Sequence, residues 1–258
     1  EDISEDSLLL RDSIISFIER EIHPIIDKID LHEDNQLMSK LLKKSSEMSM
    51  MGVNIPEKFG GIDLNFIDTL LFGEATACGY SFATAIGAHT SIGTLPIVYY
   101  GNENQKNKYL PKLNSGELIA SYCLSEPESG SDANSAKTKA LLSDDKKFYL
   151  ISGQKMWITN GSFADLFIVF AKINDDKLLS AFIIEKKFGN ITIGKEEKKM
   201  GIKGSSTVQI YFNNTKVPIS NLLGKREEGF KIALNVLNSG RIKIGASAVG
   251  GLKYAIQR

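Results

Sequence analysis

The sequence contains few residues that could form disulfide bonds or metal sites. Its 258 residues include two cysteines, Cys78 and Cys123, which lie far apart and form no CxxC pair. Two free thiols in a chain of this length indicate a reducing compartment and exclude a disulfide-stabilised scaffold. The histidines His23, His32 and His89 show none of the spacings that bind metal ions, so we expect structural roles for them and no metal site.

The chain also lacks an excess of charge of either sign and a long apolar segment. Lys and Arg together number 31, as do Asp and Glu, so the formal net charge is zero at pH 7. Such a balance gives no indication of a nucleic acid or an anionic membrane as a partner. No apolar run approaches the roughly 20 residues needed to cross a bilayer, and the charged N-terminus has no signal-peptide core. These absences predict a soluble, intracellular protein.

Common nucleotide-binding and hydrolase motifs are missing as well. The sequence has no GxGxxG, Walker A or GxSxG pattern, so it gives no support to nicotinamide-binding, P-loop or hydrolase functions. The segment Lys198–Ser206 contains lysines, glycines and serines but lacks the spacing of a phosphate-binding loop. We therefore interpret it as a turn in a β domain.

Hydrophobic periodicity predicts helices up to about residue 118. A 3.6-residue apolar stripe runs from Leu10 to Ile22, and a second helix is predicted over Asp34–Met51. The segments Phe66–Cys78 and Ser81–Tyr100 are apolar over most of their circumference, as helices inside a bundle should be. Two capping patterns predict helix starts: Ser4 before acidic residues, and Asn102 followed by Gln105.

From Ile119 the period of the apolar residues changes from 3.6 to 2. Pairs of turn residues such as Asn160-Gly161 and Asn213-Asn214 separate the strand-like runs. Short strands without intervening helices predict an antiparallel sheet or barrel. The predicted strands are Phe148–Ile151, Lys155–Ile158, Leu166–Lys172, Leu179–Glu185 and Val208–Phe212.

A helical period returns after Pro218 and continues to Arg258. One apolar face of this predicted helix consists of Phe230, Ala233, Leu234, Leu237, Ile244, Ala248 and Leu252. A helix without a partner cannot bury such a face, so we expect a further helical segment in the complete protein. The predicted fold is α+β and multidomain, with an N-terminal α-helical bundle (1–118), a middle antiparallel β-barrel or sandwich (119–224) and a truncated C-terminal α-helical bundle (225–258).

The segment SYCLSEPESGSDA, Ser121–Ala133, is the most informative part of the chain. Hydroxyl groups crowd it, and Pro127 and Gly130 prevent regular structure and expose backbone N–H groups. Such a loop can wrap a polar, planar or phosphorylated ligand, although a simple hydrophilic turn has the same composition. The chain's one tryptophan follows in the segment Trp157-Ile158-Thr159.

Together these two segments resemble the signature of the acyl-CoA dehydrogenase family. In that family an aromatic-x-x-(Thr/Ser)-Glu-Pro-x-x-Gly-Ser-Asp segment and a Trp-Ile-Thr strand hold a flavin. The similarity continues in family order through Asn54–Gly61, Gly87–Gly93, Lys108–Glu117, Lys199–Thr207, Phe212–Pro218 and Gly229–Arg241. The segment Leu237–Arg241 (LNSGR) is most similar to the very-long-chain branch and its bacterial relatives.

The resemblance implies an FAD site. Its residues would be Tyr122, Cys123, Leu124, Ser125, Gly130, Ser131, Trp157, Ile158 and Thr159. The Ser125 hydroxyl would lie near flavin N5, Thr159 would donate to the N5/O4 edge, and Trp157 would cover the ring face away from substrate. Position 125 is usually Thr in the family, and Ser lacks the methyl group that restricts the rotamer.

The resemblance also implies a substrate site. Ser131 matches a position that contacts the CoA portion, and the segment Asn238, Ser239, Gly240 and Arg241 matches the lining of the pantetheine and thioester end. A glycine inside a helix costs about 1 kcal/mol relative to Ala, so Gly240 needs a reason. It leaves space for a bulky or long acyl chain. Arg241 has an alternative role, since a helix cation often pairs with a neighbouring carboxylate.

The sequence contains no residue that matches the family's catalytic base. In the branch that this chain resembles, a glutamate in the C-terminal bundle removes the α-proton, and Gly240 occupies the position where other branches carry it. We therefore assign no catalytic residue here and expect the glutamate in a missing C-terminal region. The carboxylates Glu126, Glu128 and Asp132 are expected to serve loop structure or remain solvated.

The resemblance implies an FAD-dependent acyl-CoA dehydrogenase of fatty acid β-oxidation. It would convert a saturated acyl-CoA to trans-2-enoyl-CoA, pass electrons to an electron-transfer flavoprotein, and form a homotetramer or homodimer. The expected location is cytoplasmic, with the mitochondrial matrix as the alternative. Two other functions stay open: a non-catalytic assembly scaffold of the same fold, and an acyl-CoA oxidase, in which oxygen reaches the reduced flavin.

Overall fold

A computed structural model describes residues 3–34 and 36–257. Asn35, inside the predicted Asp34–Met51 helix, lies outside the described residues. So do Glu1, Asp2 and Arg258, at the outer ends of the predicted first and last domains. Helices come first, strands follow, and one long helix ends the described chain, so the predicted α+β class is confirmed.

Seven helices precede the first strand in the described chain. They are α1 (Glu5–Glu21), α2 (Ile26–Asp30), α3 (Leu37–Ser46), α4 (Phe66–Thr76), α5 (Ser81–Ala88), α6 (Leu95–Tyr100) and α7 (Glu103–Asn114), with a π-helical turn, His89–Gly93, between α5 and α6. Both predicted caps are confirmed. Ser4 Oγ accepts from the Ser7 N–H at 3.1 Å, and Asn102 and Gln105 form a reciprocal capping box.

Two predicted helices are shorter than the sequence pattern suggested. The helix expected over Asp34–Met51 ends at Ser46, and Ser49 then takes a left-handed backbone conformation (φ 58°) that a helix cannot continue through. The helix expected over Ser81–Tyr100 is divided by the π-helical turn, and α6 begins beside Pro96. Because Pro cannot donate a backbone hydrogen bond, it is tolerated in the first turn of a new helix.

The middle of the described chain folds into an eight-stranded sheet. Its strands are β1 (Ala120–Cys123), β2 (Lys139–Leu142), β3 (Phe148–Thr159), β4 (Leu166–Ile173), β5 (Ser180–Glu185), β6 (Ile191–Ile193), β7 (Thr207–Pro218) and β8 (Leu222–Leu223). The strand order is β6-β7-β3-β2-β4-β5-β8, and β1 pairs with β4. Two predicted strands, Phe148–Ile151 and Lys155–Ile158, are parts of the single strand β3.

The expectation of a purely antiparallel sheet is wrong in two places. Strands β1 and β4 pair in parallel, as do β2 and β4, whereas the remaining pairs are antiparallel. Parallel neighbours need a long crossover, and the chain between β1 and β4 contains the loop and two strands. The sheet is therefore mixed, and its alternation pattern alone could not reveal these distant pairings.

The long helix α8 (Gly229–Gln257) packs closely against α4. A Cβ atom at Gly250 would lie 2.1 Å from the Glu74 carbonyl oxygen, so only glycine permits this approach. The predicted apolar face is only partly buried. Ala233 lies in the core, but Ile244 is 70% exposed and Leu252 is 65% exposed.

No helix among the described residues has the length and apolar character that crossing a membrane would require.

Candidate functional site

A bulge in β3 turns the tryptophan side chain outward. The register between β3 and β7 shifts between Lys155 and Ile158, and Trp157 between them has a left-handed backbone with φ 61°. Bulky residues rarely adopt this conformation, and bulges often redirect a side chain near a functional site. Trp157 is 57% exposed, so a broad aromatic surface faces outward from an otherwise packed sheet.

The hydroxyl-rich loop is attached directly to this bulge. The Met156 N–H donates to the Ser125 carbonyl at 2.9 Å, and Ser121 Oγ donates to the Thr159 carbonyl at 2.8 Å. The two segments that the sequence analysis singled out therefore lie side by side. These bonds hold the segment that carries Ser125 next to the segment that carries Trp157 and Thr159.

A buried ion pair that the sequence analysis missed fixes the start of this loop. Lys155 Nζ donates to Glu126 Oε1 at 2.7 Å and to the Leu124 carbonyl at 3.1 Å, and Lys155 has no exposed surface. Glu126 also accepts from the backbone N–H groups of Lys137 and Thr138, at 2.6 and 3.1 Å. Burial alone would raise the pKa of Glu126, but the Lys155 ammonium and these hydrogen bonds lower it below its usual value. Glu126 is thus a structural anion, in agreement with its expected role in loop structure.

The predicted flavin-contacting residues divide into a buried group and an accessible group. Cys123 is fully buried in the sheet core, where desolvation raises its pKa to about 12, and Ile158 is 1% exposed. Tyr122 is also buried and packs on Phe170, with ring centroids 5.0 Å apart. Tyr122 packs in the core between helices and sheet, and Cys123 and Ile158 pack in the core on the opposite face of the sheet, so none of the three offers an open surface. The accessible members are Leu124, Ser125, Gly130, Ser131, Trp157 and Thr159.

A cavity of about 420 Å³ lies between α4, α5, the π-helical turn and α8, with Thr159 of β3 in its wall. Thr159 therefore belongs both to the loop-and-bulge site and to the cavity. The lining is mostly apolar or small. It consists of Asn54, Thr69, Phe72, Gly73, Thr76, Ala83, Thr84, Gly87, Ala88, Thr90, Ser91, Ile92, Thr159, Gly240, Lys243, Ile244 and Ser247.

The predicted substrate residues on α8 separate into cavity and surface positions. Gly240 is buried and lines the cavity, and a Cβ added there would lie 3.7 Å from Ile92 and 3.8 Å from Ser91. Asn238 and Arg241 are exposed, and Arg241 Nη1 donates to Asn238 Oδ1 at 2.7 Å. The alternative role for Arg241, pairing with a neighbouring carboxylate, is therefore wrong among the described residues. Ser239 is half-buried.

Lys243 is a further cavity residue that the sequence analysis missed. Its Nζ donates to Asn54 Oδ1 at 2.7 Å, and desolvation lowers its pKa to about 8. The signal was present in the sequence: Gly240, Lys243 and Ser247 follow the i, i+3, i+7 spacing of one helix face. A lysine on the same helix face as a glycine, where another element can approach closely, indicates a partly buried cation.

The histidines have structural contacts. His89 Nε2 lies 3.1 Å from the Leu113 carbonyl oxygen, and His89 Nδ1 accepts from the Ala120 N–H at 3.1 Å. Burial lowers the pKa of His89 to about 4, so the ring is neutral at pH 7. Within residues 3–34 and 36–257, no cluster of three or more His, Cys, Asp or Glu side chains could hold a metal ion.

Comparisons with known proteins agree with the motifs. Residues 4–117 match the acyl-CoA dehydrogenase N-terminal domain, and residues 121–215 match the acyl-CoA dehydrogenase middle domain. A Bacillus subtilis protein named "Probable acyl-CoA dehydrogenase" is 45% identical over 257 residues, which cover 100% of this chain and 43% of that protein. The very long-chain specific acyl-CoA dehydrogenase of Rattus norvegicus mitochondria is 40% identical over 226 residues, which cover 84% of this chain and 34% of that protein.

The fold is similar to that of a solved structure with the same family name. The crystal structure of acyl-CoA dehydrogenase complexed with FAD from Bacillus anthracis aligns with a TM-score of 0.96 and 44% sequence identity. The alignment covers 99% of this chain and 44% of that one. The chain thus spans less than half the length of each of these three relatives.

Proposed function

The chain belongs to the acyl-CoA dehydrogenase family, with very-long-chain enzymes among its relatives, and on this premise we propose that it holds FAD and contributes to acyl-CoA dehydrogenation. The reaction would convert a saturated acyl-CoA thioester to trans-2-enoyl-CoA. The observation that carries the proposal is the position of Thr159. It lies beside an exposed tryptophan and a hydroxyl-rich loop on one side, and in the wall of a largely apolar cavity on the other.

The residues around the bulge fit an isoalloxazine ring. Such a ring needs a flat apolar surface and hydrogen-bond donors at its edge. The exposed Trp157 indole provides the first, and the accessible hydroxyl groups of Ser125 and Thr159 provide the second. FAD, when bound, supplies the hydride acceptor.

The chain's own residues would orient the reactants and stabilise charge. Hydroxyl donors at Ser125 and Thr159 favour negative charge at the ring edge. The Lys155–Glu126 pair holds the loop that carries Ser125, since both side chains are buried and bonded to the loop backbone. Ser131, which is exposed, is suited to the CoA portion, and Gly240 opens the cavity wall toward the acyl group.

The base that removes the α-proton is not among the residues that line the cavity, none of which is Asp, Glu or His. Glu126 cannot serve, because its carboxylate is buried in an ion pair. We propose that the base is a glutamate from a segment beyond this sequence, as the family pattern predicts. The greater length of the relatives supports this assignment.

The remaining features of the proposal rest on the family. They are electron transfer to an electron-transfer flavoprotein, a role in fatty acid β-oxidation and assembly as a homotetramer or homodimer. Similarity to a Bacillus subtilis protein supports a cytoplasmic location.

An absorbance spectrum of the purified full-length protein tests the central claim. We expect a flavin band that palmitoyl-CoA or butyryl-CoA bleaches under anaerobic conditions. A protein without flavin would refute the FAD assignment, and a flavin band that acyl thioesters leave unchanged would refute the dehydrogenase activity and favour the scaffold. Rapid recovery of the bleached band in air would favour an oxidase over a dehydrogenase.

A further inference from the structure

One side of the cavity is formed by a single face of α8. Gly240, Lys243 and Ser247 all lie on it, and Lys243 follows Gly240 by about 4.5 Å along the helix axis. Gly240 lies near Ser91, and Lys243 lies about one turn farther along the same wall. An acyl group whose thioester end lies beside Gly240 would therefore reach the lysine with a more distal part of its chain.

The Lys243 ammonium has unused hydrogen-bonding capacity. An ammonium has three donors, and among the described residues its partner is Asn54 Oδ1 at 2.7 Å. Asn54 is held in this orientation because its Nδ2 donates to the Thr90 carbonyl at 2.9 Å. Two donors therefore remain for another acceptor.

No anion in the described part of the chain neutralises this cation. None of the residues that line the cavity is Asp or Glu. On α4, Glu74 pairs instead with Lys253 at 2.7 Å, and Asp68 accepts from Ser7. In the π-helical turn, the neutral His89 ring bonds to Leu113 and Ala120. Desolvation lowers the pKa of Lys243 to about 8, a value at which most of the group is still protonated at pH 7.

A second polar group of the cavity has no hydrogen-bond partner among the described residues. Ser91 Oγ is buried and makes no hydrogen bond within the described residues, and Ser91 as a whole is 8% exposed. Buried polar groups such as the Ser91 hydroxyl are nearly always satisfied, and a cation that is partly desolvated, as Lys243 is, loses hydration that a partner would replace. A plain alkyl chain in this cavity would satisfy neither Lys243 nor Ser91.

We propose that the cavity selects acyl-CoA thioesters whose acyl chain ends in a carboxylate, with the Lys243 ammonium as its counter-ion. The inference rests on the proposed function, because it assumes that the acyl group occupies this cavity. A charge-assisted hydrogen bond between ammonium and carboxylate is stronger than a neutral one, especially in apolar surroundings. A site built around a buried polar group strongly rejects an analogue that lacks the matching group.

The test compares two thioesters of equal carbon number, adipyl-CoA and hexanoyl-CoA, on the full-length flavin-loaded protein. The measured quantity is the concentration of each that half-bleaches the flavin band anaerobically. We expect half-bleaching by adipyl-CoA at a concentration at least about 10-fold lower. Lys243→Met should raise the half-bleaching concentration of adipyl-CoA by about 10- to 100-fold. The half-bleaching concentration of hexanoyl-CoA should stay the same or fall. Lys243→Arg should keep the preference, and Lys253→Met on the same helix should not alter it.

The pH dependence of the wild-type protein provides a test that needs no variant to fold. Raising the pH from about 7 to about 9 deprotonates Lys243, so the preference for adipyl-CoA should fall while the hexanoyl-CoA value changes little. The inference would be overturned if the two thioesters had equal half-bleaching concentrations in the wild type. It would also be overturned if the preference for adipyl-CoA survived Lys243→Met, or if that preference did not change with pH. In those cases bleaching by either thioester leaves the proposed function intact. A flavin band that neither thioester bleaches would overturn both.

Discussion

Replacement of Lys155 by Met should destabilise the protein strongly. The side chain has no exposed surface and forms the only ion pair of Glu126 among the described residues, at 2.7 Å. Met has a similar length, so it fills most of the space, but it leaves the Glu126 carboxylate buried without a cation. The backbone N–H groups of Lys137 and Thr138 remain as its partners.

The size of the effect follows from this uncompensated charge. Removal of one partner of a buried ion pair costs about 3–5 kcal/mol, and no reduction for solvent screening applies because both groups are buried. Since proteins are typically stable by about 5–15 kcal/mol, the loss is a large fraction of the total. The double variant Glu126→Gln, Lys155→Met removes the charge as well and should lose less, about 1–2 kcal/mol.

Urea unfolding followed by far-UV circular dichroism measures these changes in the free energy of unfolding. Lys253→Met, which removes an exposed lysine, serves as the control and should unfold like the wild type. At lower pH the free energy of unfolding of Lys155→Met should come closer to that of the wild type. Without the lysine cation, burial raises the folded-state pKa of Glu126 above its unfolded value. Protonation of Glu126 then stabilises the folded variant. A loss below about 1 kcal/mol, or a double variant less stable than the single one, would refute the reasoning.

Substitutions at Trp157, Gly240 and Gly250 test the site and the helix packing around it, with Gly251 as a control position. Trp157→Ala should weaken FAD binding, measured by flavin fluorescence, without lowering the unfolding midpoint, because the indole is 57% exposed; unchanged affinity would contradict its stacking role. Gly240→Ala should leave flavin bleaching by palmitoyl-CoA intact, since the added methyl would lie 3.7 Å from its nearest neighbour, whereas Gly240→Leu should impair palmitoyl-CoA more than butyryl-CoA; equal losses would argue against an acyl cavity. Gly250→Ala should destabilise the protein by about 1–3 kcal/mol because its Cβ would lie 2.1 Å from the Glu74 carbonyl oxygen. Gly251→Ala, with open space around it, is the matched control and should be neutral or stabilising by up to about 1 kcal/mol; similar unfolding midpoints for the two variants would refute the close approach of α4 and α8.

The sequence motifs were sufficient to predict the family and the adjacency of Ser125 to the Trp157 segment, because many segments of the chain match the family in the same order. They could not show that Tyr122, Cys123 and Ile158 are buried in the core and not open to a ligand. Alternate residues of a strand point to opposite faces, and which face is open depends on the elements packed against it.

Other features depended on contacts between distant parts of the chain. A lysine in a strand is typical of a solvated face. The sequence around Lys155 therefore gave no indication that this side chain is buried in an ion pair with Glu126. The parallel pairing of β1 with β4 joins segments that the hydroxyl-rich loop and the strands β2 and β3 separate along the chain. Local periodicity carries no information about such pairings, and the sheet was therefore predicted as antiparallel.

The neutral ring of His89 has a consequence for how the protein unfolds. It joins the end of α7, through the Leu113 carbonyl, to the first residue of β1, through the Ala120 N–H. Because this bridge crosses the boundary between helices and sheet near residue 118, separation of the two parts breaks the hydrogen bond between His89 and Ala120 and opens a buried contact. The bridge therefore couples the unfolding of the sheet to that of the helices, and excision of either part at that boundary should destabilise the part that remains.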